Sequence, residues 1–163
     1  MESFVTWFAE NFKWLPPQLA VFLISLVPLL ENRAGIILAF MLKLPLWEAV
    51  LFSAIGNVLP IPFILLFIRK IFDWMRPKKF FGPIVEKLEA RAMRKSDGVK
   101  KAEFLGLLAF VGIPLPGTGG WTGSLIASLL EVDIKKAIIA ILCGIALAAT
   151  IVSLLTYGVI GHI

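Results

Sequence analysis

Residues 110–124, Phe-Val-Gly-Ile-Pro-Leu-Pro-Gly-Thr-Gly-Gly-Trp-Thr-Gly-Ser, constrain this chain more than any other stretch. Largely apolar runs flank it, over residues 103–113 and 121–130. Pro114 and Pro116 cannot both sit inside a regular helix, because each lacks an N–H and clashes with the preceding turn. Glycines at 117, 119, 120 and 123 allow a tight reversal. The reading is helix, break, helix within a hydrophobic region. At ~1.5 Å per residue each arm reaches ~16 Å, about half of a ~30 Å hydrocarbon core, as in a re-entrant hairpin. Irregular backbone survives at membrane depth only where protein or a water-filled cavity satisfies it. The competing reading is one proline-kinked helix over residues 103–130, but Pro-Leu-Pro-Gly followed by Gly-Gly is more than a kink needs.

Composition makes this an integral membrane protein of one domain. Hydrophobic residues are 59% of the 163, and mean hydropathy is +0.91, well above soluble averages. No secretory signal is evident, since Glu2 stands where a basic region is expected. Cys143 is the single cysteine and His162 the single histidine, so neither an intrachain disulfide nor a multi-cysteine metal site is expected. No cofactor is expected. Net charge is +5, and eleven of the sixteen Lys/Arg lie between Arg69 and Lys101. That block reads as a cytoplasmic loop facing anionic lipid headgroups rather than nucleic acid.

Residues 1–14 form an amphipathic, aromatic-rich segment suited to the interface. Residues 17–68 form a first unit. Its apolar arm 18–30 is broken near Pro28, the Glu31-Asn32-Arg33 cluster follows, and a second arm over 36–44 leads into a span over 46–68. Residues 69–102 are the basic loop, with a helix whose apolar face carries Phe81, Ile84, Val85, Leu88 and Ala92. The bland reading is a helix lying on the headgroups. Residues 103–160 are the second unit, ending in a span from 134 to 160 with Ala140, Gly144 and Ala148 as a small-residue packing stripe.

The two units resemble each other. At an offset of 88, Gly35 pairs with Gly123, Ala39 with Ala127, Leu42 with Leu130, Ala49 with Ala137 and Gly56 with Gly144. The identities are few and mostly small, but the element order agrees. The expected fold is an all-α integral membrane protein of two inverted repeats, each a re-entrant helical hairpin followed by a transmembrane helix. Both termini then lie outside, and the basic loop, Lys135 and Lys136 lie in the cytoplasm. Four full spans would instead leave Lys135-Lys136 outside, against the charge rule.

Residues 28–35, Pro-Leu-Leu-Glu-Asn-Arg-Ala-Gly, and 113–121, Ile-Pro-Leu-Pro-Gly-Thr-Gly-Gly-Trp, resemble the two motifs of the small multi-drug export protein family, over essentially the whole chain. That family is similar to the DedA/VTT superfamily. The resemblance implies paired re-entrant hairpins and transport of amphiphiles, such as lipids or polyprenyl phosphates, in the cytoplasmic membrane of a prokaryote. Many DedA proteins carry an arginine in the second hairpin; here the position aligned with Arg33 is Trp121.

Glu31 and Arg33 at the first break are ionisable groups placed near mid-membrane, which is costly and usually functional. One reading is a structural ion pair that pins the hairpin. The functional reading gives Arg33 to an anionic group and a proton to Glu31. The second break offers N–H groups over residues 117–120 (Gly117, Thr118, Gly119, Gly120) at a helix start, which favour anions. Thr118 and Thr122 add hydroxyls, Trp121 an apolar wall, and Asn57 either a bond to the hairpins or plain interhelical glue. Metal, P-loop and Ser-hydrolase patterns are lacking, so no enzyme is expected. A transporter for an amphiphile with an anionic headgroup is the leading expectation. A multidrug exporter and a non-transporting scaffold are the alternatives. The expected partners are membrane lipids and a small-molecule or lipid substrate. The oligomeric state, including a homo-oligomer, is left open.

Overall fold

The computed structural model describes residues 14–94, 96, 99, 102–115 and 117–159, and every regular element among them is helical. Residues 1–13 of the amphipathic segment, Lys95, Lys100 and Lys101 of the basic loop, Pro116 and His162 lie outside the described residues. The helices are α1 (Pro17–Leu26), α2 (Glu31–Met41), α3 (Leu46–Val58), α4 (Pro60–Met75), α5 (Gly82–Arg94), α6 (Glu103–Gly112), α7 (Gly120–Leu129) and α8 (Ile134–Ser153). The last continues as a π-helical stretch, Leu154–Val159.

Proline sets where the short arms stop. Val27 precedes Pro28 and Ile113 precedes Pro114, and a residue before proline is pushed out of the helical region. Both are extended, at φ −73°, ψ 127° and φ −80°, ψ 118°. Residues 113–115 and 117–119 are non-helical, so the single kinked helix over 103–130 is ruled out. The first break is shorter and puts two non-glycine residues, Leu29 and Glu31, at φ 73° and 53°. Such backbone is held only where its surroundings enforce it.

The second arms end alike. Leu44 N–H reaches the Ala39 carbonyl at 2.9 Å, and Val132 N–H reaches that of Ala127 at 3.0 Å. Between them Lys43 and Glu131 take φ 58° and 56°. Each is a Schellman termination, which gives two otherwise unmet carbonyls of the last turn an N–H donor, and each leads at once into a long helix.

Two long apolar helices result. Leu46–Met75 has 30 residues, with an 18-residue stretch of mean hydropathy 2.2; Ile134–Gly158 has 25, with such a stretch at 2.8. At ~1.5 Å per residue both exceed a ~30 Å core. The first runs past Ile68, where a charged end was expected, because Arg69 and Lys70 do not break a helix. It stops before Pro77, which has no N–H to offer the last turn. Trp47, Leu51, Ile55, Phe63, Leu66, Phe67, Ile71 and Trp74 along it are exposed. So large an apolar face suits lipid rather than water.

Small residues let the arms pack on the spans. A β-carbon at Gly56 would lie 2.9 Å from Ser25 Cβ and would also strike the Phe22 carbonyl. One at Gly144 would lie 2.7 Å from Val111 Cβ and 3.0 Å from the Leu108 carbonyl. Likewise Gly35 faces Ser25, and Gly123 faces Val111. The Ala140–Gly144–Ala148 stripe is thus spent on contact with α6 inside the chain.

α3 and α8 run antiparallel. Tyr157 donates to the Leu44 carbonyl at 3.0 Å, at one end of both helices. Further along, Asn57 and Ile145 both stand against Gly120. Arg69 Nη1 and Glu131 Oε1, 2.8 Å apart, tie α4 to the approach to α8. α5 is not merely laid on the surface: Val85 and Ala92 are buried, while Ile84 and Leu88 stay open.

Candidate functional site

α7 starts at a bare end. Its N-cap is Gly119, at φ 137°, with no side chain to receive the first N–H groups. A helix N-terminus leaves those donors unmet and carries partial positive charge. Glu31 fills the place from the other half. Its Oε2 accepts from Gly120 N–H at 3.0 Å and its Oε1 from Trp121 N–H at 3.1 Å. Glu31 is 3% exposed, so this carboxylate is desolvated and held by two charge-assisted bonds.

Arg33 crosses to the same break. Its Nη1 donates to the Leu115 carbonyl and its Nη2 to Thr118 Oγ1 at 3.0 Å. The Thr118 hydroxyl is oriented in turn by the carbonyls of Leu115 and Ile113, at 2.8 and 3.0 Å. Asn32, between them, donates to the Ile145 carbonyl at 3.2 Å. Three consecutive side chains of the first break therefore bond the second half of the chain.

Glu31 and Arg33 do not form the ion pair that their spacing suggested. Among the described residues the ion pairs are Arg69–Glu131 and Arg76–Glu89. Residues two apart on a helix do not face each other, and here each finds its own partner. Two of the amides expected over 117–120 are also not left open for a ligand. Thr118 N–H bonds the Leu115 carbonyl, and Gly120 N–H, joined by that of Trp121, is taken by Glu31.

Asn57 is 1% exposed and stands at Gly120. Its Oδ1 has no hydrogen-bond partner, and neither do Arg33 Nε and Trp121 Nε1, while its amide nitrogen stands near the Glu31 carboxylate. Buried polar atoms without partners are few in folded proteins, and here three fall on three residues of one site. Trp121 and Thr122 line a cavity beside it. Pro28 and Pro114 stand at the two breaks.

Sequence reasoning overlooked Asn32 and the Leu115 carbonyl. The signal for Asn32 was on the page: three polar residues in a row within an apolar run mean that the whole turn is buried. Nothing in a sequence flags a carbonyl.

The fold and site define an all-helical membrane protein with a buried charged cluster where two helix breaks meet. A family model described as "Putative small multi-drug export protein" matches residues 31–151, and the chain belongs to that family. The match takes in Glu31, Arg33, Asn57 and the whole second break. Compared with curated proteins and with solved structures, the chain matches none.

Proposed function

We propose that the protein is a membrane transporter of two inverted halves, each a re-entrant helical hairpin followed by a transmembrane helix, in the cytoplasmic membrane of a prokaryote. Paired stops at Val27 and Ile113, paired Schellman ends, and matched glycine contacts support the repeat. Antiparallel α3 and α8 support the inversion. The Arg69–Glu131 pair supports placing the basic loop and Lys135 on one side, the cytoplasm.

The cargo in this reading is an amphiphile with an anionic headgroup, lipid or polyprenyl phosphate. One observation carries it: the N-terminus of α7 holds a carboxylate through two N–H donors, with a guanidinium alongside. That chemistry serves any small anionic group. The headgroup takes the place of Glu31, and a proton taken up by Glu31 weakens its hold on the amides. The family description favours export of drugs, and an anionic amphiphilic drug fits the same exchange. A cationic drug would want an unengaged acid, and Glu31 is engaged.

Reconstituted vesicles test this. Glu31→Gln/Arg33→Gln leaves no unpaired charge, so it is expected to fold, as judged by size-exclusion chromatography, yet to move a fluorescent anionic lipid roughly ten-fold more slowly. Normal transport by the folded double variant ends the anion-site reading. No transport by the wild type, with a partner protein co-purifying, favours a scaffold.

A further inference from the structure

A second site adjoins the first. α4, α5, α7 and the first break enclose a cavity of about 300 Å³ lined chiefly by Leu29, Ile64, Ile68, Leu88 and Trp121. Its one charged lining residue is Arg91, in the last turn of α5. Leu29 and Leu88 are 53% and 42% exposed, so the cavity opens to the surface between them.

The neighbouring acids do not serve Arg91. Glu89 is bonded to Arg76 at 2.6 Å, and Glu131 to Arg69 at 2.8 Å. Among the described residues Arg91 has no ion-pair partner. An apolar chamber with one uncompensated cation at its rim is complementary to a molecule with a hydrocarbon body and one anionic end. Its volume suits a small ligand rather than a helix of another protein.

We propose that this cavity binds a single-chain amphiphile by its tail, with the anionic headgroup on Arg91, as the station preceding the Glu31 site. Trp121 joins the two: its N–H to Glu31 belongs to one, and its ring lines the other. α5 is then the wall that closes the chamber, through Leu88, Arg91 and buried Ala92. The substrate class rests on the transport reading; the binding site does not.

The test is binding of radiolabelled dodecyl phosphate to the full-length protein in dodecyl maltoside micelles. Arg91→Gln is expected to weaken it roughly ten-fold. Arg94→Gln, the same charge change on an exposed residue outside the cavity, is expected to leave it unaltered. Leu88→Trp, at a half-exposed position that tolerates bulk, narrows the chamber and lowers binding with Arg91 intact. Equal losses from Arg91→Gln and Arg94→Gln, or equal binding of dodecyltrimethylammonium, overturn the proposal. Binding through Arg91 without any flux across a bilayer keeps the cavity and removes the transport function. Flux that is lost in the Glu31/Arg33 double variant but indifferent to Arg91→Gln does the reverse.

Discussion

The Glu31 carboxylate occupies the space that a side chain on Gly119 would need. A β-carbon there would stand 2.6 Å from Glu31 Cδ and closer still to Oε2. Residue 119 is also at φ 137°, so glycine is required twice, for backbone and for room.

Gly119→Ala therefore expels the carboxylate from α7. Strain of about 1–2 kcal/mol adds to the loss of a cap of similar worth. Unfolding in mixed SDS micelles should show about 2–4 kcal/mol lost. Gly158→Val is the control, because nothing lies within 4 Å of a β-carbon there. Equal tolerance at both positions would make the second break an ordinary turn.

Arg33 uses both arms of its guanidinium, on Leu115 and Thr118. Lysine keeps the charge but not the fork. Arg33→Lys is expected to cost about 1–2 kcal/mol, and Arg33→Ala more, because Leu115 loses its charged donor. In a double-mutant cycle Arg33→Lys and Thr118→Val should couple by about 0.5–1.5 kcal/mol. Additive losses would mean that the two side chains do not share a bond.

Gly56 and Gly144 meet the first arm of their own half in the same way. Gly56→Ala and Gly144→Ala are each expected to destabilise by about 1–3 kcal/mol, through forced movement of helix against helix. Thermal unfolding in detergent measures it. A large loss at one and none at the other would break the equivalence of the halves.

Cysteine labelling in a Cys143→Ala background fixes the orientation. Lys135→Cys should react from the cytoplasm, and a cysteine added at either end from outside. Ends labelled only from the cytoplasm would sink the inverted arrangement.

Much of the fold was legible because it is written in prolines and glycines, whose backbone restrictions are local. Pro28 and Pro114 gave both breaks, and the offset of 88 paired Gly35 with Gly123 and Gly56 with Gly144, all four of which lie at close helix contacts. The end of α4 at Met75 was not legible, because Arg69 and Lys70 mark a change of solvent, not of conformation. The site was half legible. Buried charge near a break pointed to Glu31 and Arg33. Their partners were hidden, since three of the four contacts run to backbone groups, which every residue carries. The dual place of Trp121, wall to one site and amide donor to the other, depends on packing across about ninety residues of chain.

Glu31 and Gly119 are counterparts at the offset of 88, and they touch. A contact between equivalent positions would, in a symmetric pair of identical halves, set a residue against itself. Two copies of the first half would bring carboxylate to carboxylate with no amides to receive either; two copies of the second would leave both helix ends bare. On the two-repeat reading proposed above, the halves are therefore not interchangeable: they are unlike partners joined in one chain, and the two sides of the Glu31–Gly119 contact must change together.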